Sequence, residues 1–173
     1  RIGRLTFVKP NVIGVAVPLS GMQKAFGQRI LDGVGLALGD GGAFKLVVRD
    51  SRGEPDGAAQ AIEQLALQEG AMVVIGGATT GEAERAAATA EELQLPFVSL
   101  SRQDGITEAG PNVFQNMLTP VAQARGLAEL MMARRGMKRF ALMWPQVPYG
   151  TELANAFWDE VEARGGEVRA AES

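Results

Sequence analysis

The chain contains no cysteine and no histidine among its 173 residues. Their absence excludes a disulfide, a cysteine nucleophile, a Ser–His–Asp triad and a zinc site built from nitrogen and sulfur ligands. Enzymes that act through carboxylates, lysine or tyrosine remain compatible with this composition. No pair of ionisable groups converges on a candidate site in the sequence, so we expect no enzymatic activity. We also expect no catalytic residue, no metal and no cofactor.

Two further features are scarce: clustered positive charge and long apolar runs. The net charge is −3, and the one short basic run, at 134–139, falls at the predicted end of a helix. Cations at a helix end are stabilised by the helix dipole, so we interpret this run as a solvated helix terminus. A nucleic-acid partner is therefore not expected. No run approaches the roughly 20 apolar residues that span a bilayer.

What the sequence does contain is a regular alternation of strand and helix patterns. Each apolar strand pattern is followed by a turn signal and an amphipathic helix pattern, which is typical of a parallel, doubly wound α/β sheet with right-handed crossovers. In the first helix, Phe26, Ile30, Val34 and Leu38 recur on one face and predict a buried stripe. The predicted strands are 11–18, 44–49, one ending at Ile75, and 96–100, and the predicted helices are 22–38, 56–68 and 82–92.

The regular alternation of strands and helices is interrupted after Leu100. Residues 101–112 are polar and irregular, which is long for a routine connection and suggests a functional loop or a crossing between domains. A second α/β run follows, with a short strand at 113–116, helices at 120–135 and 151–164, and strands at 139–143 and from 167. The sequence therefore predicts a first α/β lobe at 1–118 and a partial second α/β lobe at 119–173, with the chain truncated within that second lobe.

The stretch at 71–82 predicts a place where a small anion can bind. An apolar strand ends at Ile75, Gly76 and Gly77 allow a tight turn, and Thr79 or Thr80 is suited to cap the helix that follows. Backbone N–H groups and the positive end of the helix dipole then favour a carboxylate or phosphate. An ordinary capped turn without a ligand remains the alternative.

Landmarks spread along the chain carry a family resemblance. They are Pro18-Leu19-Ser20-Gly21, Ala25-Phe26-Gly27, Arg49-Asp50-Ser51, Ile75-Gly76-Gly77, Pro96-Phe97-Val98-Ser99 and Tyr149-Gly150. In this order they resemble type I periplasmic solute-binding proteins of the leucine/isoleucine/valine-binding kind. The chain is also similar to the solute-binding-like domain of penicillin-binding-protein activator lipoproteins. The resemblance runs from about Asn11 to the end of the chain and implies two lobes joined by crossing strands.

The resemblance implies a set of ligand-binding residues. Thr79 and Thr80 match the position that holds a ligand carboxylate. Phe26 matches an aromatic that closes over the ligand, and Tyr149 matches the cleft-facing aromatic of the second lobe. For Phe26 a core role, and for Tyr149 local packing, remain alternatives. The loop from Ser99 to Gln103 matches one that touches the ligand, so Ser99, Ser101 and Arg102 are added. Arg102 departs from the small residues usual there, and its guanidinium favours a carboxylate or phosphate, with a surface arginine as the alternative.

The functions that the resemblance implies are two. The first is an extracytoplasmic solute-binding protein that binds an amino acid or similar small carboxylate between two lobes and passes it to an ABC transporter permease. The second is a regulatory lipoprotein domain that acts on a cell-wall synthase through protein contacts. Both imply a periplasmic or extracytoplasmic location, with a lipid anchor on the full-length protein left open.

Overall fold

The computed structural model describes residues 7–39 and 41–173. Contacts within the chain divide it into two compact units, the first ending at Met117 and the second formed by Leu118–Ser173.

The first unit is built on a five-stranded sheet in the order β2-β1-β3-β4-β5. Every neighbouring pair of strands is parallel, so all the carboxyl ends lie at the same edge. The prediction of a parallel, doubly wound α/β sheet is confirmed. The strands are β1 Val12–Val17, β2 Lys45–Asp50, β3 Val73–Gly76, β4 Phe97–Ser99 and β5 Val113–Gln115.

Helices follow the strands of this sheet. Pro55 lies in the first turn of the second helix, where its fixed φ and missing N–H cost nothing. The connection after β4, irregular in the sequence, contains a single 3-10 turn at Ile106–Ala109. The helices are α1 Lys24–Leu38, preceded by a 3-10 turn at Gly21–Gln23, α2 Pro55–Glu63, continued by a π-helical turn at Gln64–Gln68, and α3 Thr80–Glu92.

The core of the first unit lies between the sheet and the helices α2 and α3. Ile62, Leu65, Val74 and Phe97 are fully buried there. Small side chains on α3, among them Ala86, are also fully buried. Because alanine is short, it allows a helix to pack close to its neighbours without a cavity.

The predicted stripe on α1 is not a buried core face. Gly27 is the one residue of this helix that is buried, while Ile30, Val34 and Leu38 are half-buried. Phe26 is 46% exposed, which argues against the core role that was its alternative. The spacing on the helix was correctly recognised, but spacing cannot show how much neighbouring structure covers a face.

Glycines allow two helix starts to lie close to the turns that precede them. A Cβ on Gly27 would lie 1.8 Å from the carbonyl oxygen of Pro18, and a Cβ on Gly57 would lie 2.1 Å from that of Ser51. Real side chains do not approach a backbone oxygen this closely. Glycine at these positions therefore lets each βα turn fold back onto the first turn of its helix.

The second unit pairs two parallel strands, β6 Arg139–Met143 and β7 Glu167–Glu172. Its helices are α4 Pro120–Ala128, continued by a π-helical turn at Glu129–Arg134, and α5 Pro148–Ala163. Phe140 and Phe157 meet edge to face, with ring centroids 5.5 Å apart, a favourable aromatic geometry. Among the described residues, no helix of either unit is long and apolar enough to cross a membrane.

Candidate functional site

The sheet order of the first unit identifies the edge where a ligand would bind. In the order 2-1-3-4-5, the chain winds in opposite directions on either side of β1 and β3, and their carboxyl ends leave a crevice between the turns that follow. The turn after β1 contains Ser20, and the turn after β3 contains Thr79. The neighbouring turn after β4 contains Ser101 and Arg102.

The turn between β3 and α3 is shaped by its two glycines. A Cβ on Gly76 would lie 2.2 Å from the carbonyl oxygen of Ala16, so only glycine lets β3 pass this close to β1. Gly77 has a φ of +61°, and a Cβ there would lie 2.9 Å from Cα of Ala83. The prediction of a tight glycine turn is confirmed. The turn delivers the chain directly to the start of α3.

Thr79 is the N-cap of α3 and forms a capping box with Glu82. The backbone N–H of Thr79 donates to Oε2 of Glu82 at 3.2 Å, and its hydroxyl donates to the same oxygen at 2.9 Å. The first of these bonds satisfies the N–H of the N-cap residue, which has no partner within the helix. Thr79 is half-buried, and Thr80 is exposed at the same helix start.

Glu82 itself is buried, with 1% of its surface exposed. Its second carboxylate oxygen, Oε1, accepts a hydrogen bond from the hydroxyl of Ser51, which is fully buried in the turn after β2. A buried carboxylate is costly unless donors surround it, and here three donors do. The Ser51–Glu82–Thr79 cluster therefore links two βα turns at the carboxyl edge of the sheet.

The turn after β4 is held by its own hydroxyl and amide groups. Ser99 Oγ accepts from the N–H of Ser101 at 3.2 Å, and Ser101 Oγ accepts from the N–H of Gln103 at 3.1 Å. Gln115, at the end of β5, donates through Nε2 to the carbonyl oxygens of Ser101 and Gln103 at 2.9 and 2.7 Å. Ser99 and Ser101 are buried, at 0% and 2% exposed. Their position makes them supports of the turn backbone.

Arg102 is exposed on this same turn, between the two residues whose carbonyl groups Gln115 holds. The turn thus places a guanidinium at the surface of the carboxyl edge. A guanidinium there can offer two parallel donors to a carboxylate. Phe26 is exposed on the first turn of α1.

Asp50, at the end of β2, organises the turn after β1. Its Oδ1 accepts from the N–H of Leu19 at 2.7 Å and from that of Arg52 at 2.8 Å. Burial raises the pKa of the Asp50 carboxyl, but hydrogen bonds from the Ser20 hydroxyl and from backbone N–H groups outweigh that effect. The pKa of Asp50 is therefore lower than its ordinary value.

Tyr149 lies in the second unit, in the first turn of α5. It is half-buried, and its hydroxyl donates to Oε1 of Gln123 on α4 at 2.8 Å. Its ring lines an apolar cavity of about 410 Å³ within this unit, together with Trp144, Leu153 and Phe157. The polar contact and the apolar surround both hold the ring in place.

Sequence reasoning missed the residues that organise the candidate site. A T-x-x-E pattern at Thr79–Glu82 is a capping-box signal, so Glu82 was recognisable in the sequence. Ser51 and Gln115 gave no such signal, because each acts on a residue far away in the chain. Among the described residues, no group of three or more acidic side chains could hold a metal ion.

Comparison with known proteins identifies the class that this fold represents. A model of the periplasmic binding protein family matches residues 10–173. The chain therefore belongs to the periplasmic binding protein family, and its sheet is that of the type I fold. The family consists of solute-binding proteins that act outside the cytoplasm. No curated protein sequence matches the chain.

Solved structures similar to the chain include binders of amino acids and of an aromatic acid. A leucine-binding protein from Thermotoga maritima is 25% identical with a TM-score of 0.64, over 94% of this chain and 48% of that one. A substrate-binding protein from Desulfitobacterium hafniense in complex with Leu is 27% identical with a TM-score of 0.61, and the match covers 94% of this chain and 50% of that one. A solute-binding protein from Rhodopseudomonas palustris HaA2, in complex with p-hydroxybenzoic acid, shares the fold at 22% identity and a TM-score of 0.67. The match covers 93% of this chain and 46% of that one. The chain thus spans about half the length of these structures.

Proposed function

We propose that this chain is part of an extracytoplasmic receptor that binds an amino acid or a similar small carboxylate and delivers it to an ABC transporter. The proposal places the ligand at the carboxyl edge of the sheet in the first unit. In this account the chain has no enzymatic activity, and its partners are the solute and a transporter permease. Anchoring of the full-length protein by a lipid would be compatible with this role.

The observation that carries the proposal is the start of α3 at the crevice beside β3. Thr80 is exposed there, and Thr79 is half-buried. The first N–H groups of a helix lack partners within the helix, and the helix dipole favours a negative group in front of them. Arg102 is exposed on the turn after the neighbouring strand, β4. Together these groups suit a ligand with a carboxylate. We propose Thr79, Thr80, Ser99, Ser101, Arg102 and Phe26 as the binding residues of the first unit, and Tyr149 as a binding residue of the second unit.

The ligands of similar structures support the same class of solute. Leucine and p-hydroxybenzoic acid, found in two of them, each carry one carboxylate and an apolar body. A carboxylate needs donors, and the helix start and the guanidinium supply them. We therefore propose the carboxylate as the group that this edge of the sheet recognises.

A second candidate is a regulatory domain that acts on a cell-wall synthase by protein contact. The hydrogen bonds within the candidate site favour it, because several hydroxyls are already used in the structure. Thr79 donates to Glu82, and the hydroxyl oxygens of Ser99 and Ser101 accept from the backbone. A site whose polar groups serve the fold leaves fewer for a solute.

A thermal-shift screen of the 173-residue chain separates the two. The panel contains L-leucine, L-isoleucine, 4-hydroxybenzoate, small dicarboxylates and cell-wall peptides. A midpoint that rises with ligand concentration is required of any ligand that binds the native state alone. Such a rise with a carboxylate would support the solute receptor. Folded protein that responds to nothing in the panel up to about 10 mM would favour the regulatory role, because linkage makes a ligand at many times its Kd visible.

A further inference from the structure

The buried carboxylate of Glu82 has a use that capping alone does not require. A capping box needs only the contacts between Thr79 and Glu82 at the start of α3. Glu82 makes these contacts and also accepts a hydrogen bond from the hydroxyl of Ser51, which lies 31 residues earlier in the chain. The side chain of Glu82 therefore accepts hydrogen bonds from two hydroxyls that belong to different βα turns.

The number of protons on these hydroxyls limits what they can do. A serine or threonine hydroxyl has one proton to donate and two lone pairs that accept. Ser51 donates this proton in a hydrogen bond to Oε1 of Glu82, and Thr79 donates its own to Oε2. Each hydroxyl can then meet any further group only as an acceptor. The Thr79 oxygen already accepts once, from the backbone N–H of Glu82 in the capping box, so one lone pair is left for a ligand.

We propose that Glu82 is a positioning residue of the candidate site, because it fixes the hydroxyl of Thr79 as an acceptor. The proposal rests on the proposed function. In this arrangement Thr79 accepts from a ligand group that donates, such as an ammonium or a hydroxyl. The donors for a ligand carboxylate are then Thr80, Arg102 and the backbone N–H groups at the start of α3. The Glu82 carboxylate thus divides the edge of the sheet into an accepting part and a donating part.

The test observes the two hydroxyl protons directly by proton NMR of the isotope-labelled 173-residue chain without ligand. Hydroxyl protons held in hydrogen bonds to a buried carboxylate exchange slowly enough to be seen, and we expect resonances from both Ser51 and Thr79. Glu82→Gln offers one accepting oxygen and an N–H₂ that donates, so at least one resonance should disappear. Glu92→Gln is the matched control, since Glu92 is exposed on the same helix, and it should keep both.

The outcomes are distinct. Fewer than two hydroxyl resonances in the folded wild type, or two that persist in folded Glu82→Gln, would overturn the proposal. The wild-type spectrum decides the question even where Glu82→Gln fails to fold. Ser51→Ala provides a second variant, which should lose the Ser51 resonance and retain that of Thr79.

Binding is measured on the same proteins by calorimetry with L-leucine. A positioning role predicts that Glu82→Gln binds about fivefold or more weakly than Glu92→Gln, the loss expected from one misplaced hydrogen bond. Equal affinities would contradict the positioning role. If the wild type shows both resonances but binds no L-leucine or other panel ligand, the proposed function fails. The hydrogen bonds from both hydroxyls to Glu82 are then still established.

Discussion

The hydroxyl of Ser51 donates to the carboxylate of Glu82, and this hydrogen bond joins the turn after β2 to the first turn of α3. Both residues are buried, at 0% and 1% exposed. A hydrogen bond to a buried carboxylate contributes more than one at the surface, because water cannot replace a lost donor. This contact holds the two turns in register at the edge of the sheet that we propose as the binding site.

Ser51→Ala should therefore lower the free energy of unfolding by about 1–3 kcal/mol, the cost of leaving a buried acceptor without its donor. Ser20→Ala is the matched control, since Ser20 donates its hydroxyl to Asp50, which is exposed. Urea unfolding of both variants checks the difference. A loss for Ser20→Ala as large as that for Ser51→Ala would show that burial of Glu82 does not strengthen the contact.

Gly27→Ala should destabilise the chain by about 3 kcal/mol or more, at the upper end for an inserted methyl group. The new Cβ would lie 1.8 Å from the carbonyl oxygen of Pro18, so the turn after β1 would have to move. Gly33→Ala, on the same helix with nothing within 4 Å of its Cβ, should stabilise by about 0.5–1 kcal/mol. Thermal unfolding of the pair tests the packing of this turn, and a similar effect of both substitutions would refute it.

Asp50 should make stability depend on pH below about 4, near the ordinary aspartate pKa. Its pKa is lower in the folded chain, so the folded state binds this proton less readily than the unfolded state. The stabilising contribution is thus present above the unfolded pKa and is lost as the pH falls through the folded pKa. Asp50→Asn should have a lower free energy of unfolding than the wild type at pH 7, and the difference between their free energies of unfolding should become smaller below pH 4. A constant difference across that range would contradict the assignment.

Much of the fold follows from the sequence because its signals are local. The alternation of strands and helices predicted the parallel sheet, and Gly76-Gly77 predicted the turn that Gly77 makes with a φ of +61°. The burial of α1 could not be predicted from the spacing of Phe26, Ile30 and Val34. Spacing defines a face of a helix, whereas coverage depends on packing between distant parts of the chain.

The candidate site was predictable in part for the same reason. Thr79 and Thr80 follow directly from a strand, a glycine turn and a helix start. Gln115 holds the turn that carries Arg102 from 12 and 14 residues along the chain, and Ser51 reaches Glu82 from 31 residues away. Pairings of this kind are created by the order of strands in the sheet and have no pattern in the sequence.

The double variant Thr79→Ala/Thr80→Ala should weaken binding of L-leucine more than Phe26→Leu does. The threonines lie at the helix start that we propose to bind the carboxylate, whereas leucine at position 26 keeps an apolar side chain on α1. Loss of polar contacts typically costs more than a change between apolar side chains of similar size. Calorimetry on the three proteins gives the comparison. Equal affinities of the wild type and the double variant would remove both threonines from the binding site.

The most direct measurement is a calorimetric titration of the 173-residue chain with L-leucine and, separately, with 4-hydroxybenzoate. We expect saturable binding of at least one of these carboxylates, and loss or strong weakening of that binding in Thr79→Ala/Thr80→Ala. Absence of binding of either ligand to folded protein, up to about 10 mM where linkage would also show a stabilisation, would contradict the solute-receptor proposal. The regulatory function would then be the better account of this fold.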